Sequence, residues 1–327
     1  MPDENTFLLA RCMWDEATKR RIEMQELRPF GVARNIFKAK LPAGKTITFQ
    51  GIPAAQYESE CVSWISDKSR LKKELVKLGM PVAKGGAVRT KDEAAALFRA
   101  LVPPVIVKPH QGSGSRHTIL HIKTENELSL AFIIAKQVSP MVVIEEELVG
   151  SVYRATLVGG KLIAVLRRDP PQVMGDGVHT IFELIEEENK HPARSGPYFA
   201  KIQLDERARE ELARQEYEMD SVPLEEARVS LHQKVHWSAG GTSVDVTDEV
   251  HPDNVTIFEQ IARELRAPVV GIDFIISDIR RSWKEEKRCG ILECNSMPFI
   301  DKHHFPFEGK PRNVAGAIWD MVMTHYI

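Results

Sequence analysis

Two short apolar segments carry acid where a core strand would carry none. They are GIDFII (Gly271 to Ile276) and GILECNSMP (Gly290 to Pro298), and the stretch between them includes the charged run RRSWKEEKR. Successive strand side chains point to opposite faces, so Glu293 and Asn295 share one face while Leu292 and Cys294 share the other. A polar connection is what a hairpin needs, and pairing the two strands would set Asp273 beside Glu293 and Asn295. Three oxygen-bearing side chains on one sheet face suit a hard cation such as Mg²⁺, which takes oxygen ligands and keeps waters or phosphates as the remainder. The alternative is a surface hairpin held by salt bridges, but the flanking residues are too apolar for a solvated strand. The set points toward nucleotide chemistry.

Other segments supply the cations such chemistry needs. In PVIVKPHQGSGSRHT, Lys108 ends an apolar strand and a loop of small residues follows. Small residues let the backbone approach a polyphosphate and form an anion-binding nest, though a lone glycine-rich stretch is equally an ordinary exposed loop. The GxxxxGK[ST] order of a P-loop is absent. Lys68 in SDKSRLKK gains weight only from this company, because a helix-start lysine is usually solvated. MVVIEEELVG ends in consecutive acids and exits through Leu148 and Gly150; it could offer backbone groups to an adenine edge, or be a charged strand end. Arg167 and Arg168 close the strand LIAVLRRD, and alternation lets only one of them face a site.

The elements that must position these residues follow from periodicity. SDKSRLKKELVKLG spaces Leu71, Leu75 and Leu78 as a helix, with Gly79 as its stop. PVAKGGAV reads as a strand, TKDEAAALFRALV as a helix opened by Thr90, PVIVKP and TILHI as strands, and TENELSLAFIIAKQV as a helix with Thr124 and Glu127 as a capping box. MVVIEEELVG, SVYRATLVGG and KLIAVLRRD are expected strands, the last two joined by a Gly-Gly turn. DGVHTIFELIEEENKHP, LDERAREELARQEYEM, NVTIFEQIARELRAP and NVAGAIWDMVMTHY are expected helices. VSLHQKVHW is β-branched and alternating, so it reads as strand; His232 and His236 then lie too far apart to chelate zinc easily.

Composition excludes several classes. The 327 residues are 43% hydrophobic and 28% charged, with 44 basic against 46 acidic residues and a formal net charge of −2. That is the profile of a globular protein, with no sign of a general nucleic-acid binder. The start, MPDENTFLLARCMWDE, has acids where a secretory signal is basic, and no run approaches the ~18 apolar residues of a membrane span. A cytoplasmic enzyme is the expectation. The four cysteines, Cys12, Cys61, Cys289 and Cys294, form no CxxC pair. That spacing suggests neither a zinc ribbon nor a redox couple, and Cys294 reads as a small buried hydrophobe.

Together and in this order, the elements resemble the ATP-grasp superfamily over roughly residues 60 to 312. GDGVHTIFELI, NKHPAR, SAGGTSVDVTDEVHPDN and ECNSMPFIDKHHFPFEGKPRNV resemble the ATP-grasp regions of cyanophycin synthetase and bifunctional glutathione synthetase. The resemblance implies an α+β fold with ATP held between two subdomains. It suggests an N-terminal segment at 1–60, a first ATP-grasp subdomain with the phosphate loop at 61–140, and a second at 141–327 with the adenine linker, metal site and substrate loops. It also implies roles. Lys68 and Lys108 would hold ATP phosphates under the flexible loop Gln111 to Arg116, with Ser113, Gly114 and Ser115 at its centre. Glu145, Glu146 and Leu148 would form the adenine linker. Asp273, Glu293 and Asn295 would bind two Mg²⁺ ions (or Mn²⁺), and Arg154 and Arg168 would act near the transferring phosphate.

The implied activity is ADP-forming amide or peptide synthesis from a carboxylate and an amine through an acyl phosphate. The substrates would be small molecules or peptides, with no nucleic acid or membrane partner; relatives commonly form homo-oligomers. Alternatives are a ligase that crosslinks or tails a protein partner, or a nucleotide-binding module without catalysis. The sequence also departs from its relatives. Val152 stands where many carry an acid for the ribose hydroxyls, Gly271 where D-alanine ligases carry an arginine, and HWSAGG where cyanophycin synthetases carry NLSTGG. Without the second halves of those two enzymes, a single ligation or a partner enzyme is expected. In KHHFPFEGKPR, the residues His303, His304, Lys310 and Arg312 either hold a carboxylate-bearing substrate or form a basic surface turn.

Overall fold

A computed structural model describes residues 7–28, 35–42, 44–53, 64–110, 117–233, 235 and 237–326. Helix α1 (Leu8–Lys19) turns Ala10, Met13 and Ala17 inward, and a three-stranded antiparallel sheet follows: β1 (Glu23–Leu27), β2 (Ile36–Lys40) and β3 (Thr46–Gln50). Burial alternates strictly in β2 and β3, with Phe37, Ala39, Ile47 and Phe49 inward. That is the period-two pattern of a sheet with one wet face.

Helix α2 (Lys68–Lys77) starts at Asp67, whose carboxylate accepts the Ser69 and Arg70 N–H groups at 3.0 and 3.1 Å. A four-stranded antiparallel sheet comes next. Along the chain its units are β4 (Gly85–Val88), α3 (Lys91–Ala100), β5 (Val105–Pro109), β6 (Ile119–Ile122), α4 (Glu125–Lys136) and β7 (Val142–Glu146), and its strand order is β4-β7-β5-β6. Thr124 makes the expected capping box with Glu127, and Thr90, expected only to open its helix, makes one with Glu93. Phe98 of α3 and Phe132 of α4 pack onto Val105, Val107 and Ile144 of the sheet.

The last sheet carries the acid-bearing hairpin. Strands β8 (Ser151–Val158) and β9 (Lys161–Asp169) are joined by Gly159 and Gly160, whose φ values of +58° and +77° fit a primed two-residue turn. An insertion follows: β10 (Gln172–Met174), α5 (Ile181–Glu188), α6 (Glu206–Arg214) and β11 (Arg228–Ser230), around a core of Val173, Ile181, Ile185, Leu212 and Val229. Then come β12 (Thr242–Asp245), α7 (Pro252–Glu264), β13 (Val269–Ile276), β14 (Gly290–Asn295), the single turn α8 (Asp301–His304) and α9 (Val314–Tyr326). The sheet order is β12-β9-β8-β13-β14, antiparallel throughout. Tyr153, Ala155 and Leu157 of β8 face a core built with Phe258 and Ile261 of α7 and Ile272 and Phe274 of β13. Leu71 and Leu75 of α2 join that core, so α2 docks on this sheet. At one end of the other face Val158 meets α9, which shares a core with α1 and the three-stranded sheet.

One expected strand is shorter than its pattern. In VSLHQKVHW only the first residues pair, because β11 ends at Ser230. The Ser230 hydroxyl donates to the His232 carbonyl at 2.8 Å, a local bond that draws the backbone away from a ladder. Lys234 and His236 lie outside the described residues.

Candidate active site

Register puts the acids together. In the β13–β14 ladder Asp273 lies opposite Glu293 and Gly271 opposite Asn295; across β8, Asp273 lies opposite Arg154. Directly opposed residues share a face. Asp273, Glu293, Asn295 and Arg154 therefore stand on the face away from α7. Arg168 of β9, opposite Val152, joins them. Arg167 points the other way and holds Asp169 at 2.9 Å, so one arginine of the pair faces the site, as alternation requires.

Asp273 sits in a double arginine clamp. Arg154 forks onto both its oxygens, with Nη2 2.9 Å from Oδ2, and Arg168 Nη1 donates to the same Oδ2 at 3.0 Å. Burial alone would raise the Asp273 carboxyl, but the charge and hydrogen bonds of Arg154, then of Arg168, hold it below the ordinary range. Arg168 is itself lowered, by burial and by repulsion from Arg154 acting against the pull of Asp273. Glu293 is more open: Asn295 donates to Oε1 at 3.3 Å, and Lys68 Nζ lies 3.3 Å from Oε2.

The facing wall comes from the four-stranded sheet. Lys108, near the end of β5, pairs with Glu145 of β7 at 2.6 Å, and Lys72 of α2 pairs with the other oxygen of Glu145 at 2.6 Å. Burial works to raise Glu145, and the two lysines outweigh it and keep the carboxyl low. Lys68 and Lys72 are one helical turn apart, so α2 offers Lys68 to the acid hairpin and Lys72 to the opposite sheet from one face. Ser69, between them, is 2.6 Å from His110 Nε2 at the end of β5. Sequence reading missed Lys72; its signal was the i, i+4 spacing from Lys68. Glu146 turns to the other side of β7, where its carboxylate accepts the Val102 N–H at 3.0 Å. Its own N–H is bound to the Lys84 carbonyl at 2.8 Å. Leu148 crosses toward the hairpin and lies over Gly290. Ser113, Gly114 and Ser115, with the rest of the loop from Gln111 to Arg116, lie outside the described residues.

Four basic residues of KHHFPFEGKPR have partners within the chain. His303 is fully buried, with Nε2 2.7 Å from the Thr156 hydroxyl, and burial, reinforced by Arg154, pulls it down to about 3. His304 accepts the Ala315 N–H at 3.1 Å at the start of α9. Lys310 pairs with Asp248 at 2.7 Å, and Arg312 binds Asp245 and Asp248 at 2.7 and 2.9 Å. Of the two readings of these residues, a substrate-holding set or a basic surface turn, the exposed Lys310 fits a surface turn while His303 is buried. The segment's other cation, Lys302, faces Phe199 and Trp237 instead.

Gly271 makes the clamp possible. A Cβ there would sit 2.7 Å from Pro298 Cβ, 3.1 Å from Arg154 Cδ and 3.2 Å from Arg154 Nη1. An arginine at this position has no room beside Arg154. We expect Gly271→Ala to cost about 1–3 kcal/mol, as overpacking does, and to push Arg154 off Asp273. Thermal melting together with ATP turnover checks this; a wild-type value for both would show that Arg154 and Pro298 yield freely.

The fold is that of the ATP-grasp superfamily of ligases: two antiparallel sheets bridged by α2, acids on one wall and lysines on the other. No family model matches the chain. Among individual proteins, it is 35% identical over 263 residues to the cyanophycin synthetase of Trichormus variabilis, covering 79% of this chain and 29% of that one. It is 33% identical over 271 residues to the bifunctional glutathione biosynthesis protein GshAB of Mannheimia succiniciproducens, covering 80% of this chain and 36% of that one. The crystal structure of a bifunctional glutathione synthetase from Pasteurella multocida superposes with a TM-score of 0.74 at 26% identity, over 98% of this chain and 44% of that one. The chain thus spans roughly a third of the length of the curated relatives it matches. No described helix is long and apolar enough to cross a membrane.

Proposed function

We propose that this protein is an ADP-forming carboxylate–amine ligase that binds ATP between its two sheets. The observation that carries the reading is the pairing of an all-oxygen acid set on β13–β14 with Lys68, Lys72 and Lys108 across the same cleft. A carboxylate is a poor acyl donor because oxide would have to leave. Phosphorylating it with the γ-phosphate of ATP gives an acyl phosphate and ADP; an amine then attacks the acyl carbon and phosphate departs. Such chemistry asks for positioning and charge neutralisation, with no side-chain nucleophile.

The residues fit those demands. The three lysines offset phosphate charge, and in the resting state Glu293 holds Lys68 while Glu145 holds both Lys72 and Lys108, offsetting part of their charge. Arg168, anchored on Asp273, offers its guanidinium to the transferring group or to the acid it joins. The acid set also fits Mg²⁺ by donor chemistry. Asp273 Oδ2 accepts from two arginines and Oδ1 from Arg154, and the neighbouring Glu293 carboxyl also interacts with Asp273, as two carboxylates that share a cation would. Glu293 has both oxygens within reach of the cleft, and the Asn295 amide oxygen accepts no hydrogen bond among the described residues. Bound there, Mg²⁺ would withdraw charge from the phosphates. Val152 offers the nucleotide no hydroxyl acceptor, and we assign ribose contact to other groups.

A phosphate-release screen of carboxylate and amine pairs with ATP and Mg²⁺ tests the reading. Release that requires both an acid and an amine supports it. Release indifferent to added amine under every pairing would sink it.

A further inference from the structure

The insertion between β9 and β12 ends in a surface that its own core does not use. Residues 174–182 and 219–227 lie side by side. The Gly175 N–H donates to the Ala227 carbonyl at 2.8 Å, the Gly177 N–H to Pro223 at 3.1 Å, and the Ile181 and Phe182 N–H groups to Ser221 and Met219 at 3.0 Å. A Cβ on Gly175 would meet the Leu224 carbonyl oxygen at 2.2 Å, so the two backbones are in contact there. Val173, Ile181, Ile185 and Val229 turn inward. The outward positions are apolar as well: Val178 is 73% exposed and Leu224 79%, with Met174, Phe182 and Val222 about half exposed. Beside them Phe182, Leu204 and Met219, with Thr180, Arg209 and Asp220, line a groove of about 460 Å³. Isolated exposed apolar residues are ordinary, but a set of them on one tip, running into an apolar groove, marks a contact surface.

Charge decides what this surface takes. Residues 174–189 and 216–227 carry ten acidic residues and no lysine or arginine, in a chain whose formal net charge is only −2. In the first segment Glu187 and Glu188 are offset by Lys190 and Arg194 at 2.7 and 2.8 Å, and Glu183 caps α5. In the second, Glu216, Glu218, Asp220, Glu225 and Glu226 are all exposed and pair with no cation among the described residues. Arg209 is the one cation lining the groove. Uncompensated carboxylates around an apolar surface repel nucleic acid and anionic lipid. They also repel a second copy of the same face, since a two-fold contact sets each acid cluster near its counterpart. A wholly apolar partner would strip water from the acids and give nothing back. A polypeptide that carries lysine or arginine beside large apolar side chains matches both the groove and its rim.

We propose that this face of the insertion docks a basic polypeptide segment, which lays apolar side chains on the tip and in the groove while its lysines or arginines meet the unpaired acids. None of these residues belongs to the candidate centre, so the inference stands independently of the ligase reading. The test is panning of a random dodecapeptide library on the full chain, followed by fluorescence anisotropy with synthetic copies of the enriched peptides. Enriched peptides should combine net positive charge with large apolar residues. V178S/L224S should weaken their binding about tenfold or more, as the loss of two apolar contacts does. E225K/E226K should weaken it comparably at about 50 mM salt and less at about 300 mM, where screening shortens the reach of charge. All four side chains are exposed, so melting temperature and ATP turnover should match wild type in both variants. Peptides with no basic excess, or peptides that bind both variants as tightly as wild type, overturn the inference. Undiminished binding after the apolar residues of an enriched peptide are replaced by serine also overturns it, because charge alone would then hold the peptide. A wild-type dimer that V178S/L224S dissociates would put a second copy on this face and overturn it too.

Discussion

Asp273→Asn is expected to lose about 3–5 kcal/mol of stability and nearly all ATP turnover, because it removes one partner from a buried ion cluster. Arg154 and Asp273 are almost fully buried, and Arg168 lies close beside them. The clamp brings two guanidinium groups together around one carboxylate. With Asn in its place the amide accepts one or two of their hydrogen bonds, but the two positive charges face each other uncompensated in a site with little water. Relaxation would have to swing Arg168 outward, since Arg154 has sheet on both sides and Gly271 beneath it. Either result displaces the cation offered to the transferring phosphate, so stability and activity fall together. Urea denaturation alongside ADP formation reads both. A loss under about 1 kcal/mol would mean that water reaches the clamp and screens it.

The same clamp sets an acid limit on the fold. The Asp273 carboxyl is held below its unfolded value, because the arginines outweigh burial. A group depressed in this way contributes stability that is fully present above its unfolded pKa and is lost as pH falls through the folded value. The loss from this site therefore falls below about pH 4, the ordinary range of an aspartate, and the neutral region is untouched by it. In Asp273→Asn that acid-side component should be missing from the pH profile of unfolding.

Much of this centre was legible in the sequence, for reasons of period. A strand has only two faces, so the spacing of Glu293 and Asn295 and the single acid of GIDFII fixed which side chains could meet once the hairpin closed. Thr90 gave its helix start as a capping residue, and Thr124 did so with the capping-box partner Glu127 three residues on. What stayed hidden depends on packing between distant elements. Nothing local in SDKSRLKK says that α2 docks on the five-stranded sheet, so the i, i+4 spacing of Lys68 and Lys72 was visible but the reach of Lys72 to Glu145 was not. The histidines and late basic residues after Pro298 look alike in sequence. Burial separates them: His303 goes under the sheet to Thr156, Arg312 to Asp245, and Lys302 into the aromatic wall. The alternation in VSLHQKVHW was real, but the hydroxyl of its second residue, Ser230, competed for the backbone.

Glu293→Gln gives the cleaner separation of chemistry from folding, and a fall of about 10²- to 10³-fold in amine-dependent ATP turnover is expected from it. Glu293 lies directly opposite Asp273 in the hairpin, yet its surroundings differ. Its side chain is 32% exposed, its ion-pair partner Lys68 is 51% exposed, and both of its contacts are long at 3.3 Å. A screened pair of that kind is worth roughly 0–1 kcal/mol, so unfolding should hardly change. The isosteric amide keeps volume and the bond from Asn295 while removing the negative charge that makes this wall attractive to a hard cation and that holds Lys68 in the cleft. The loss should therefore appear in turnover, with melting left within about a degree or two of wild type for a chain of this size. Raising Mg²⁺ should recover part of the rate if the lost charge acted through the metal, and none of it if Glu293 served only to place Lys68. Wild-type turnover in Glu293→Gln would remove the acid hairpin from the reaction and leave Asp273 as a purely structural ion.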